Sequence, residues 1–182
     1  MDATAALLGE VGPSRLSVRE IARKAGVNHG QVHHYFGSKR SLLEAAMEKL
    51  ARDHYEHMDA VSGPGGIPPA LALADDPAYW RAVCRCVLEG DIELARIEID
   101  QGTSVPQRAF RALAERSGAD ADDFGFRARF ATTVALNLGW VAFEDFVLEL
   151  MEIEDKDRER MRRELARLVT ALASGRAPWT SD

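Results

Sequence analysis

Polar side chains that donate or accept hydrogen bonds crowd residues 28–39 of this 182-residue chain. Gln31 is a candidate reader of base edges, because a glutamine amide can bond adenine through two hydrogen bonds at once. His29 and His33 stand four residues apart, a spacing that on a helix also suits a metal ion. The stretch is not a His-Glu-x-x-His motif and offers no third ligand nearby, so we predict contacts to nucleic acid and no metal.

Two short helices joined by a glycine turn are predicted to hold these side chains in place. Ser17 is expected to cap the second helix, and Gly26 permits the positive φ that a tight turn needs. Val27 and Val32 are expected to fill the junction, so that the third helix, at about 28–35, is held rigidly outward. This arrangement is a helix-turn-helix, whose outward helix can enter the major groove of DNA.

Helix signals dominate the remainder, so the predicted fold class is all-α. Residues 1–50 are predicted to form the N-terminal helix-turn-helix domain, with a fourth helix linking it to about residue 61. The Gly/Pro-rich stretch 62–66 reads as a linker. Residues 67–175 are predicted to form a helical domain for ligand binding and dimerisation. Its helices are expected at about 68–73, 76–89, 91–99, 106–118, 122–152 and 155–175.

Charge is distributed unevenly along the chain. The net charge is −6, yet residues 1–40 carry +3 and residues 61–182 carry −6. A basic head on an acidic body is typical of a DNA-binding protein with a separate sensor domain.

The composition of the chain indicates the cellular compartment in which the protein acts. The one long apolar region, 124–151, is interrupted by Arg127, Arg129, Glu144 and Asp145, so we predict no membrane span. No secretory signal opens the chain, and the two cysteines lie too close together for an ordinary disulfide. A cytoplasmic protein is therefore predicted.

Residues 3–50 closely resemble the tetracycline-repressor (TetR) family of bacterial regulators. The matching elements are Gly12, Ser17-Val18-Arg19-Glu20-Ile21-Ala22, Ala25-Gly26-Val27, Gly30, Tyr35-Phe36 and Ser38-Lys39. The resemblance implies three N-terminal helices for DNA and about six more for ligand and dimer. It also implies a regulator and not an enzyme.

The resemblance implies a DNA surface made of Ser17, Arg19, Asn28, His29, Gly30, Gln31, His33, Tyr35 and Lys39. In this surface Ser17, Arg19 and the Tyr35 hydroxyl should touch phosphates. Lys39 should bind phosphate with help from the dipole of the fourth helix. His33 stands where the family often has tyrosine, which puts that one contact in question.

The C-terminal domain is expected to bind a small effector that is apolar or aromatic, and no cofactor is predicted. Candidate pocket residues are Trp80, Cys84, Phe110, Phe130 and Trp140. The same residues could equally form plain core, and the sequence leaves both readings open. We interpret the cysteines as packing residues and not as a redox switch.

The helices at about 122–152 and 155–175 both have broad apolar faces. In a homodimer they would form a four-helix bundle with their copies, the arrangement that the resemblance implies. The alternative is a hairpin within one chain. On the sequence alone, charged replacements of Leu165 and Leu172 are expected to yield a monomer.

The favoured function is a transcriptional repressor that a small molecule releases from operator DNA. The same parts would also suit an activator. The rival classes are an enzyme with a helical catalytic domain, for which no catalytic constellation is present, and a dimeric interaction module without DNA binding. The short first helix leads us to expect a natural start about 8–20 residues upstream, or weaker DNA binding than in relatives.

Overall fold

A computed structural model describes residues 1–176, which contain helices and no strands, so the all-α prediction is confirmed. Short 3-10 turns lie at Ala72–Asp75 and Asp155–Asp157. The helices are α1 (Asp2–Arg15), α2 (Val18–Ala25), α3 (His29–Phe36), α4 (Lys39–Ser62), α5 (Pro77–Leu88), α6 (Ile92–Ala95), α7 (Ile97–Asp100), α8 (Val105–Ser117), α9 (Phe124–Leu150) and α10 (Arg158–Ala173).

The chain divides into two compact units. Unit 1 contains residues 1–58 and 76–105, and unit 2 contains residues 59–75 and the chain from Pro106 onward. The linker at 62–66 predicted that a second domain begins at residue 67. In the structure, residues 76–105 group with the N-terminal helices instead. Each unit has its own apolar core.

The core of unit 1 forms where α1 and α4 meet α5. Leu8, Met47 and Ala82 have no exposed surface. Gly9 brings α1 close to α5, because a Cβ at this position would lie only 3.2 Å from the Cβ of Arg81. A larger side chain at residue 9 would therefore force the two helices apart.

The first helical segment ends at Gly12-Pro13, as the sequence predicts. Gly12 has a φ of 80° and a ψ of 167°, which no helix contains, and a short second segment of α1 then continues to Arg15.

Unit 1 also buries a polar cluster. His54 of α4 is 3% exposed, and its Nδ1 lies 3.0 Å from a carboxylate oxygen of Asp76. The His54 ring stacks on Tyr79 with centroids 3.9 Å apart. The Tyr79 hydroxyl donates to Glu98, and the Ser104 hydroxyl donates to the other oxygen of Glu98 at 3.0 Å. Burial raises the pKa of the Glu98 carboxyl to about 7.

The core of unit 2 lies between α9, α10 and the segment before the first 3-10 turn. Leu71, Trp140 and Leu148 are buried together, and Met161 and Leu165 of α10 pack against them. The two helices of one chain therefore pack against each other, which is the hairpin that the sequence left as the alternative. Leu165 belongs to the core of its own unit, so charging it would test folding before dimerisation.

Asn137 holds an unusual backbone in unit 2. Its Oδ1 accepts from the Leu71 N–H at 2.8 Å, and its Nδ2 donates to the Thr133 carbonyl at 2.7 Å. The sequence favours a hydrogen bond from Asn137 to another helix, whereas the structure gives bonds to the turn residue Leu71 and to its own helix. Leu71 has a φ of 67°, a conformation that ends helical structure. The helix predicted at about 68–73 is consequently wrong, and only the turn Ala72–Asp75 forms.

Candidate nucleic-acid interface

The turn between α2 and α3 forms as predicted, with one exception. The Ser17 Oγ accepts from the Glu20 N–H at 3.1 Å and caps α2. Gly26 has a φ of 67°, and the Val27 N–H donates to the Ala22 carbonyl at 3.0 Å, closing the end of α2. The prediction that Val27 fills the junction is wrong, because its side chain is 45% exposed. Val32 is the buried residue that fixes α3.

A complete capping box begins α3. The Asn28 Oδ1 accepts from the Gly30 N–H at 2.7 Å, and the Gln31 Oε1 accepts from the Asn28 N–H at 3.2 Å. A Cβ added at Gly30 would lie 3.2 Å from the Asn28 Oδ1. The amide oxygen of the candidate base reader is therefore engaged in the free protein, while the Gln31 NH₂ points to no partner within residues 1–176.

The outward face of α2 and α3 carries polar groups that the rest of the described chain leaves available. Arg19, His29 and His33 are exposed and form no ion pair within residues 1–176. Tyr35 is 79% exposed, and its ring touches only the edge of His34 among the described aromatic rings. A tyrosine so exposed contributes little to the core, so its hydroxyl is free to meet a partner.

Lys39 begins α4 at the edge of the same face. The Ser38 Oγ accepts from the Ser41 N–H at 3.0 Å and caps the helix. The Lys39 Nζ donates to the Ser14 carbonyl at 3.3 Å. The cation therefore lies beside the positive end of a 24-residue helix, where an anion such as phosphate is favoured.

The residues predicted for a ligand pocket fall into both units. Trp80 and Cys84 belong to unit 1, and Phe110, Phe130 and Trp140 belong to unit 2. Within unit 2 the Phe110 ring lies 5.2 Å from that of Phe130. The cavity of about 400 Å³ described in unit 2 is lined by other residues, among them Arg111 and Glu115 of α8.

The thiols and histidines show no reactive or metal-binding grouping in the described part of the chain. Cys86 is fully buried, and burial raises the pKa of its thiol to about 12. Burial also raises the pKa of the Cys84 thiol. Residues 1–176 contain no group of three or more His, Cys, Asp or Glu side chains able to hold a metal ion.

Sequence reasoning missed Ser14, Arg40, Glu89 and Asp91, which surround Lys39 in unit 1. Together with Lys39 they line a cavity of about 410 Å³. No local pattern identifies them, because Arg40 and Asp91 pair across 51 residues of sequence.

The structure places this surface on a helix-turn-helix, a motif whose outward helix can enter the major groove of DNA. Residues 1–46 match the family model described as bacterial regulatory proteins, tetR family. The match confirms, for this segment of the chain, the resemblance to the TetR family of transcriptional regulators that the sequence shows.

Curated relatives include the HTH-type transcriptional regulator BetI of Yersinia pestis (strain Pestoides F), 36% identical over 101 residues, or 53% of this chain and 44% of the relative. BetI 2 of Chromohalobacter salexigens is 38% identical over 95 residues, or 52% of this chain and 41% of the relative. The match thus spans less than half the length of these relatives. A crystal structure of a TetR-family transcriptional regulator from Streptomyces coelicolor aligns with 93% of this chain and 94% of its own, at 24% identity and a TM-score of 0.46.

Proposed function

We propose that this DNA-binding regulator is a repressor that binds operator DNA as a homodimer and leaves it when a small molecule binds. The observation that carries the proposal is the exposed polar face of α3 beside Lys39, on a TetR-family helix-turn-helix. A capped, anchored helix of this kind fits the major groove, which is about 12 Å wide. The protein would act in the cytoplasm and without catalysing a reaction or using a cofactor.

The proposed contacts follow from the exposed groups. Ser17 and Arg19 at the start of α2 would bind phosphates, as would the Tyr35 hydroxyl and the Lys39 ammonium. The remaining polar positions of α3 would approach bases or backbone; they are Asn28, His29, Gly30, Gln31 and His33. Gln31 would read a base through its free NH₂, or through the whole amide after releasing the Asn28 N–H.

The homodimer is supported by an apolar stripe along α9. Leu136, Phe143, Phe146 and Leu150 follow one another at the spacing of a helix face that packs on another helix. Phe143 and Phe146 are 60% and 62% exposed. Exposed aromatic side chains in such a row are costly in water, and a second copy of α9 would cover them.

A lipid bilayer is the other surface that could cover α9. The helix is 27 residues long and, by length and mean hydropathy, could cross a membrane. Among the described residues it is the single helix of that kind, and such a helix supports a span only weakly. Glu144 on α9 accepts from Arg162 at 2.6 and 2.7 Å, and a paired charge of this kind is poorly suited to hydrocarbon.

The proposed effector site lies in unit 2. Phe110, Phe126 and Phe130 form an aromatic group there, which suits an apolar or aromatic ligand. The Trp140 indole N–H is buried and has no hydrogen-bond partner within residues 1–176. An effector that carries a hydrogen-bond acceptor would satisfy this donor.

DNA binding is tested by fluorescence anisotropy with a labelled duplex from the region upstream of the encoding gene. The wild-type chain and Lys39→Ala are compared over a series of salt concentrations. Removing one phosphate contact per subunit should reduce the slope of log affinity against log salt by about 0.9 per contact. Lys49→Ala is the matched control, since Lys49 lies on the same helix but pairs with Asp2 and Asp53. Absence of wild-type binding at low salt would refute the proposal.

Repression is tested separately by transcription in vitro from the same duplex region. A repressor lowers transcript yield when it is added, whereas an activator raises it. Sedimentation of the wild-type chain, with and without detergent, separates a discrete dimer from detergent-dependent solubility that would indicate a membrane partner for α9.

A further inference from the structure

The turn from Glu89 to Asp91, between α5 and α6, contacts the end of α1 and the start of α4; we name it the anchor turn. The Glu89 Oε2 accepts from the Ser14 N–H at 2.9 Å, at the end of α1. Both carboxylate oxygens of Asp91 accept from one nitrogen of Arg40, at 2.8 and 2.7 Å, in the first turn of α4. The turn thus joins the ends of α1 and α4.

Glu89 fits closely against α1. A Cβ at Gly12 would lie 1.8 Å from the Glu89 Oε1, so the carboxylate occupies space that only glycine leaves open. The hydrogen bonds from Ser14 lower the pKa of Glu89, which keeps the carboxylate ionised. The contact is therefore maintained at neutral pH.

The contacts of Glu89 with Ser14 and of Asp91 with Arg40 both lie next to Lys39. Ser14, held by Glu89 through its N–H, accepts from the Lys39 Nζ through its carbonyl at 3.3 Å. Arg40, held by Asp91, is the next residue along α4. Two successive residues at the start of α4 are thus tied to the anchor turn, one through Ser14 and one directly.

We infer that the anchor turn positions Lys39 for its phosphate contact, with Glu89 and Asp91 acting as positioning residues that do not touch DNA themselves. The inference rests on the proposed function and deepens it. The two bonds from one guanidinium nitrogen to Asp91 tie the first turn of α4 to the anchor turn. The direction in which Lys39 leaves that turn depends on this connection.

Whether removing an acid weakens or strengthens DNA binding distinguishes a positioning role from a simple effect of charge. Asp91 and Glu89 are acids near a surface that receives phosphates. If only charge mattered, removing either acid would strengthen DNA binding. If positioning matters, removing it weakens binding, because Lys39 loses its place.

Asp91→Asn is the variant of choice. Asp91 also caps α6 by accepting from the Leu94 N–H at 3.2 Å, and asparagine caps helices equally well. The variant therefore removes the ion pair with Arg40 and keeps the cap. Asp100→Asn is the matched control, since Asp100 on α7 pairs only with Arg96, in the adjoining turn, among the described ion pairs.

The assay measures anisotropy with a random-sequence duplex of about 30 base pairs over a salt series, because phosphate contacts are independent of sequence. If Lys39 no longer reaches its phosphate, Asp91→Asn should lower the slope by about 0.9 per subunit and weaken binding about eightfold per subunit at 0.1 M salt. Asp100→Asn should keep the wild-type slope. In a Lys39→Ala background, Asp91→Asn should weaken binding no further, since the residue that it positions is gone.

Equal or tighter binding by Asp91→Asn would overturn the inference. A lower melting temperature with an unchanged slope would also overturn it, because it would assign Asp91 a purely structural role. A wild-type chain that binds no duplex at low salt would instead overturn the proposed function itself, and the inference with it.

Discussion

The buried carboxyl of Glu98 gives the sharpest test of the packing in unit 1. Burial raises its pKa from 4.5 to about 7, although the Ser104 hydroxyl acts in the opposite direction. Between these values the folded chain keeps a proton that the unfolded chain has released. The folded state is therefore stabilised at low pH, and this stabilisation is lost as the pH rises through 7.

The size of the effect follows from the two pKa values. The Glu98 contribution to the free energy of unfolding should fall by roughly 2–3 kcal/mol between pH 5 and pH 8. Glu98→Gln removes the titration while retaining a side chain that can bond Tyr79 and Ser104. The variant should therefore be more stable than the wild type at pH 8, and the advantage should disappear towards pH 5.

Urea denaturation at equal chain concentration, at pH 5, 6, 7 and 8, measures this difference. His54 and Asp76 of the same cluster are present in both proteins, so subtracting one curve from the other isolates Glu98. Glu93→Gln is the control, because the Glu93 side chain is 92% exposed and should not alter the pH dependence. Parallel curves for the wild type and Glu98→Gln would refute the assignment of a buried, protonated carboxyl.

Three further predictions address the surface, the interface and the thiols. Gln31→Ala should lower stability by about 1 kcal/mol through loss of the capping box, and it should change base preference in a selected pool of duplexes; an unaltered preference would remove Gln31 from base reading. The pair Phe143→Glu and Phe146→Glu should convert a dimer to a monomer in analytical ultracentrifugation while retaining the helical circular dichroism spectrum, and a dimer that persists would move the interface away from α9. A protein with Cys84→Ser and Cys86→Ser should bind DNA as the wild type does. The native thiols should react slowly with iodoacetamide at pH 7, since both thiol pKa values are raised. Rapid modification would contradict the packing role.

The sequence predicted local features well because local chemistry determines them. Ser17 and Asn28 cap their helices with their own side chains, and Gly26 adopts the positive φ that its turn requires. These outcomes depend on residues within one turn of each other.

The sequence was a poor guide to features that depend on partners distant along the chain. Val27 is apolar, which favours a place in the junction, yet no neighbouring element covers it. The N–H of Leu71, which has a left-handed conformation, donates to Asn137, 66 residues further along the chain. The anchor turn likewise escaped prediction, because Glu89 meets Ser14 across 75 residues. Which partner a side chain finds at such distances is decided by tertiary packing and leaves no periodic pattern.

The close approach of α1 to α5 has a consequence for the newborn protein. Gly9 lies against Arg81, and the sequence between them contains α2, α3 and α4, so the helix-turn-helix lies within a long closed segment of the chain. The ribosome releases the N-terminus first, at roughly 5–20 residues per second. The helix-turn-helix is synthesised early but lacks its support until α5 has emerged. A chain whose α5 has not yet emerged therefore lacks the packing of α1 against α5.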